Sequence, residues 1–306
     1  MFKYIQNILK HVSHYIIYIM SNNLVLNNVS SLINEDKLKP FWSNQTPNWF
    51  VNLLDTKYIS NNKLVINEVE NICNVSINSS EYEQIKSGNN FYKDPRYINL
   101  IPIETILQIP SNILEIANSP NNQYNNQLDL SIQKIKEEQE NFYINGSLDN
   151  IGIFEFCKQN NKLIDSNNII SPDSLDDLME NVWIKPTFFL MHPKVLSIFC
   201  KICNNKAINL ETIELFGHPF ISWRGLPIIT SDKIKINNNE SYVFLLRTGE
   251  SDNGVIKLYN ANANEGYFIR KNETDTLGLN YTRISLYTNI AIIDYDSICA
   301  IKCKLK

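Results

Sequence analysis

Apolar residues in this 306-residue chain change their spacing part-way along, and that change limits what the chain can fold into. Between Leu128 and Cys203 they recur at helical steps, whereas from Thr212 they come in short runs of strand length parted by turn residues. Helices followed by a long series of strands make an α+β body with many pairings between distant segments. Leu128, Ile132, Ile135 and Phe142 fall on one face of the first helix, with Lys134, Lys136, Glu137, Glu138 and Glu140 around the rest. Those glutamates read as a solvated face, a catalytic carboxylate cluster being the competing reading. Ser171 as N-cap and Pro172 at the first helical position open a second helix that carries Leu175, Leu178, Met179 and Val182. Asp173, Asp176 and Asp177 lie near its positive end. A third helix starts at Pro193 and places Leu196, Phe199, Cys200 and Cys203 on one face. Strands are predicted at 212–216, 220–223, 242–246, 254–259, 281–286, 290–293 and 298–302, with a turn at Gly217-His218-Pro219.

Upstream of the helices, residues 20–70 are polar and asparagine-rich without sustained periodicity. Their apolar content gathers at Trp42 and at Trp49, Phe50, Val51, Leu53 and Leu54. Two readings stand: an arm that anchors itself on something else by those aromatics, or a small irregular subdomain. Pro95, Pro102 and Pro110 break the short apolar runs between Phe91 and Leu114, which predicts extended or looped chain. The stretch from Asn118 to Gln127 reads as a linker and a boundary. At the N-terminus Lys3 and Lys10 precede the apolar run Tyr15 to Met20, which is too short for a signal-peptide core and has no small-residue cleavage site. Met20 offers an alternative start, the residues before it then being an amphipathic extension. Nowhere does the sequence reach the roughly 18 apolar residues of a membrane span.

A net charge of -4 gives no overall attraction to phosphate backbones or anionic lipid, so neither nucleic acid nor membrane is the expected partner. The abundance of asparagine, isoleucine and lysine beside only five arginines fits an AT-rich genome, and the Asn-x-Ser/Thr triplets follow from it without implying glycosylation. Six scattered cysteines lack the regular spacing of a secreted disulfide framework, which points to a reducing cytoplasm.

Candidate chemistry is sparse. Cys200-Lys201-Ile202-Cys203 has the spacing of half a zinc site or of a redox pair, and a closed tetrahedral site would have to recruit His192 and His218. Because both cysteines lie on the apolar face with Leu196 and Phe199, a core role competes with the chemical one. Cys299 and Cys303 read the same way. His11 and His14 sit in the N-terminal extension, and none of the four histidines has a nucleophile nearby in sequence. There is no phosphate-binding or dinucleotide fingerprint, and nine glycines leave little material for one. Asp294 and Asp296 around Tyr295 suit either a cation or a strand-end turn. No residue is named as catalytic, cofactor-binding or metal-ligating, and the chain reads as a protein without an activity of its own.

Three blocks carry a resemblance. They are Asn181-Val-Trp-Ile-Lys-Pro-Thr-Phe-Phe-Leu-Met-His-Pro193, then Leu215-Phe-Gly-His-Pro-Phe-Ile-Ser-Trp-Arg-Gly-Leu-Pro-Ile-Ile-Thr-Ser-Asp-Lys233, then Leu245-Leu-Arg-Thr-Gly-Glu250 with Gly254-Val-Ile-Lys-Leu258. In order and spacing they resemble the family 2 encapsulin shell proteins, over about Ser171 to Leu305. The resemblance implies the HK97-like tailed-phage capsid fold, with an N-terminal arm, an extended loop, a peripheral domain on a spine helix and an axial domain. Carried onto this chain it gives an N-terminal extension and arm at 1–70 and the extended-loop region with the start of the peripheral domain at 71–127. The spine helix, axial domain and remaining peripheral strands then occupy 128–306. It further implies self-assembly into an icosahedral homo-oligomer, about sixty copies around a cargo enzyme in the cytoplasm. The short stretch from Asn145-Gly146-Ser147 to Ser171 cannot hold an inserted nucleotide-binding domain, so the chain resembles the insert-free 2A branch, associated with a cysteine desulfurase cargo and sulfur storage. Trp183, Phe188, Phe189, Phe216 and Trp223 would then be core or subunit-contact aromatics, Gly217 and Gly225 turn residues, and Arg224 and Arg247 interface or surface arginines. Two alternatives remain at this stage: a phage or provirus major capsid protein that packages DNA, and a zinc- or thiol-dependent enzyme using Cys200 and Cys203.

Overall fold

The computed structural model describes residues 48–66, 95–108, 123–147, 150–263, 266–274 and 280–305. The alternative start at Met20, Trp42, His11, His14, Cys73 and the first half of the Asn118–Gln127 linker lie outside the described residues. In chain order the first elements are α1 (Trp49–Leu53), β1 (Asp55–Ile59), β2 (Lys63–Ile66), β3 (Arg96–Asn99), β4 (Ile101–Gln108), α2 (Gln123–Asn145), α3 (Ile153–Gln159) and β5 (Leu163–Ile169). Next come α4 (Pro172–Asn181), β6 (Phe188–Met191), α5 (Pro193–Asn205), β7 (Glu211–Leu215), β8 (His218–Trp223) and β9 (Leu226–Thr230). The chain closes with β10 (Glu240–Leu246), β11 (Val255–Asn260), β12 (Tyr267–Thr274), β13 (Asn280–Ile292) and β14 (Ile298–Lys304).

One mixed sheet runs β5-β14-β10-β6-β9-β8-β7. Its central strands are unbroken apolar runs because both faces are covered, and their period of two sorts the side chains between two cores. Phe188, Leu190, Phe244, Leu246, Ile298 and Ala300 face one way. Phe189, Met191, Val243, Leu245, Cys299, Ile301 and Cys303 face the other, under α4 and α5. Each such large side chain, fully buried, contributes about 1.5–3 kcal/mol. Helix α4 opens as its sequence requires: Ser171 accepts from the Ser174 backbone N–H and Ser174 returns the bond. Helix α5 has His192 as its cap, Nδ1 accepting from the Lys194 N–H at 3.0 Å.

The second sheet runs β1-β11-β13-β12, with β4 also on β13. Strand β13 takes β12 and then β11 along its length while β4 pairs with residues 281–288. Leu128, Ile132 and Ile135 of α2 pack on Ile284 and Leu286 of this sheet, as the helical spacing predicts. A two-stranded ribbon, β2 with β3, covers part of its other face through Ile66 and Leu100.

Several expectations change. The long helix begins at Gln123, inside the expected linker, because asparagine only weakly disfavours helix and composition does not fix conformation. Glu140 is buried, so the charged side of that helix is not uniformly solvated. The Trp49 cluster is built into the core of its own chain: the indole stacks on Phe216 at 5.4 Å and meets Phe220 edge-on at 5.3 Å, while Phe50 meets Phe188. The two strand runs expected between Tyr281 and Ile293 form one strand, since Thr288 donates to the Leu258 carbonyl and keeps the polar bridge in the ladder. His218 lies in β8 and not in a turn; the turn is Phe216-Gly217, and Arg224-Gly225 makes a second. All four residues have positive φ, the two-residue hairpin geometry that matches strand twist, which glycine adopts without strain. Helix α3 and strands β5, β6, β9 and β12 had no sequence counterpart.

Candidate assembly surface

The residues that sequence offered for chemistry are not brought together. Cys203 is packed under the first sheet with Phe199 and Val195, while Cys200 is half-buried one turn earlier. Burial pushes the Cys200 and Cys203 thiols up, and likewise those of Cys299, to about 11, and Cys303, to about 12, so at neutral pH all four stay protonated. His192 is used as a helix cap, and His218 packs at 5.5 Å from the Trp49 ring. Among the described residues no three histidine, cysteine or acidic side chains converge. Asp294 caps the turn Tyr295–Ser297, accepting from the Asp296 N–H, and is gripped by Arg247 at 2.6 Å. Arg247 is 3% exposed and donates its other terminal nitrogen to the Ile184 carbonyl at 3.3 Å, so it is an internal brace and not an interface arginine.

Arg224 is exposed at the β8–β9 turn, where it lies over the Trp223 ring and donates to Asp176 at 3.1 Å. Trp223 donates its indole N–H to the same carboxylate at 2.7 Å. Burial alone would raise the Asp176 carboxyl, but these hydrogen bonds and the Arg224 charge outweigh it and hold the group below its usual range.

What remains exposed and apolar lies on a few positioned elements. Trp183 is 75% exposed and Ile184 stands beside it, in the loop between α4 and β6. Of the resemblance's aromatics, Phe188 and Phe189 are core, Trp223 is nearly so, and Phe216 is half-exposed over Trp49. On the outer face of the β2–β3 ribbon Val65 sits directly opposite Tyr97, and Lys63 reaches over the Tyr97 ring at 3.7 Å. Near Tyr97 a cleft of about 350 Å³ opens, walled by Arg96, Ile151, Phe156, Asn160 and Tyr295. Its walls come from four separate segments, so no local sequence signal announces it. Ile106 and Leu130 are further outward apolar residues. No helix among the described residues is long and apolar enough to cross a membrane.

Comparison with known proteins gives these surfaces a context. The family model described as type 2A encapsulin shell protein, SrpI-like, matches residues 60–303. The type 2A encapsulin shell protein SrpI of Synechococcus elongatus is 31% identical over 277 residues, spanning 88% of this chain and 90% of that one. A type 2A encapsulin shell protein of Mycobacterium leprae is 28% identical over 279 residues, with the same shares covered. Among solved structures, the holo-SrpI encapsulin complex from Synechococcus elongatus superposes with a TM-score of 0.73 at 28% identity, covering 91% of this chain and 95% of that one. The capsid of a native GTA particle (TM-score 0.61, 10% identity, 90% of this chain and 98% of that one) shares the fold alone. So does the phage structure named Microbacterium phage Oxtober96 (0.60, 9%, 88% and 95%). The α+β body described above is therefore the HK97-like capsid fold, and the relatives cited are named as shell proteins and not as enzymes.

Proposed function

The chain belongs to the SrpI-like type 2A encapsulin shell family, whose members are structural proteins and not enzymes, and from that premise we propose that its copies close into an icosahedral compartment around a cargo enzyme. The cargo is a cysteine desulfurase, the setting is the cytoplasm, and the role is sulfur storage. The observation that carries the assembly half is the family match over 60–303 together with the backbone likeness to an encapsulin complex. On this reading residues 1–70 are N-terminal extension and arm, packed onto the core of their own chain at the Trp49 cluster. Residues 71–127 hold the extended-loop region and the start of the peripheral domain, into which the spine helix reaches from Gln123, and the axial and remaining peripheral parts follow up to residue 306. Closed assemblies of about sixty identical copies repeat a few surface patches, which suits apolar residues held outward on braced elements.

Co-expression with a cysteine desulfurase tests the cargo. The enzyme is expected to elute with the particles and to resist added protease until the shell is dissociated. Particles that leave the desulfurase outside would remove the cargo reading and leave the shell reading standing. The net charge of -4 supports particles free of DNA, and nuclease-resistant genomic DNA inside them would return the viral reading.

A further inference from the structure

We propose that Trp183 and Ile184 form a knob that seats in the cleft walled by Arg96, Tyr97, Ile151, Phe156 and Tyr295 of a neighbouring copy of this chain. The inference rests on the shell reading above and adds which surfaces meet.

The knob is braced before it touches anything. Val182 buries the start of the loop, and the Ile184 carbonyl accepts from Arg247. Lys185, at φ 46°, pairs with Asp252 at 2.5 Å. Thr187 donates its backbone N–H to the Leu246 carbonyl at 2.7 Å and accepts on its hydroxyl from the Thr248 N–H at 3.0 Å. A loop fixed this firmly has already lost its conformational freedom on folding, so little more is lost on docking. Yet its two large apolar side chains face water. Tryptophan on a rigid support is the residue type that most often dominates an interface.

The cleft complements it. Arg96 is held by the Ile292 and Ile293 carbonyls at 2.9 and 3.0 Å, with its guanidinium 4.8 Å from the Tyr295 ring centre and 5.9 Å from that of Phe156. A fixed cation between aromatic walls favours an indole face. Tyr97 and Ile151 leave apolar surface at the rim. Arg247 ties the knob to Asp294, the residue before Tyr295, so a single side chain bridges the knob's backbone and the segment that walls the cleft. The knob is not in its own chain's cleft, since Trp183 remains exposed. One chain bearing both halves of a contact can repeat it around a symmetry axis, and that selects a second copy as the occupant.

The test uses the full chain in a background carrying Cys73→Ser and Cys200→Ser, the remaining thiols being buried. Copies with Ile184→Cys, which keep the Trp183 indole, are co-assembled with copies with Ile151→Cys and treated with a short bismaleimide. A cross-linked dimer from the mixture, absent from either variant alone, is expected. Separately, Trp183→Ala should raise the concentration needed for assembly by at least about tenfold while leaving the circular dichroism of the folded chain unchanged. Particles that form at the wild-type concentration with Trp183→Ala and give no mixed cross-link would overturn the proposal and spare the shell reading. A wild-type chain that forms no particles at all would overturn both.

Discussion

Two tryptophans, each at the edge of the α4 helix's surroundings and each beside an arginine brace, have opposite fates. Trp223 is 8% exposed; its ring packs edge-on to Phe199 at 5.6 Å and its N–H is taken by Asp176. Trp183 follows the end of the same helix, yet is 75% exposed and none of its described neighbours stacks on it, although Arg247 fixes the loop at the next residue. Around Trp223 the polar groups close the hairpin onto the helix and serve the fold of one chain. Around Trp183 the bracing stops at the backbone and leaves the side chain for something outside. Burial with a satisfied indole marks a folding residue, and bracing without burial marks an assembly residue.

That contrast can be broken by mutation. The largest expected effect is Trp223→Ala, a loss of about 3–5 kcal/mol from the cavity and from the indole hydrogen bond to Asp176, which keeps its Arg224 partner, read from urea unfolding below the assembly concentration. Arg247→Met should cost about 2–3 kcal/mol in the same measurement, less than a fully buried pair because Asp294 stays partly hydrated. It should also weaken assembly, because it frees the loop under Trp183. His192→Ala should cost about 1 kcal/mol by uncapping α5. Burial, with Lys194's charge adding and Asp232 opposing, holds the His192 imidazole below its usual value. The folded chain then binds fewer protons than the unfolded one, so the cap's contribution is present above pH of about 6.5 and is lost as pH falls through the lowered value. His192→Asn should keep the cap and flatten that slope. The smallest expected change is Trp183→Ala, within about 0.5 kcal/mol of wild type in unfolding, against its large effect on assembly.

The helices with local signals are legible: Ser171-Pro172 announces α4 and Pro193 opens α5, since caps and proline act within one turn, whereas the His192 cap shows only in the structure. The apolar stripe of α2 from Leu128 to Phe142 is legible too, although Asn125 and Asn126 hide its start in a composition that looks like linker. Strands such as Phe188–Met191 were missed because four buried residues in a row carry no alternation to read. The Trp49 cluster supports two readings from sequence because its partners, Phe216, Phe220 and Phe188, are more than a hundred residues away. The assembly surface suffered most from this distance. Trp183 was visible as a residue, but nothing local tells a core tryptophan from an exposed one, and the brace that distinguishes them joins Ile184, Arg247 and Asp294.

The most direct test of the shell claim is light scattering on the size-exclusion peak of the purified chain, with negative-stain imaging of the same fraction. A megadalton species of uniform, hollow, closed particles is expected. A species near the single-chain mass of 35.5 kDa, or a dimer, at micromolar concentration would contradict it.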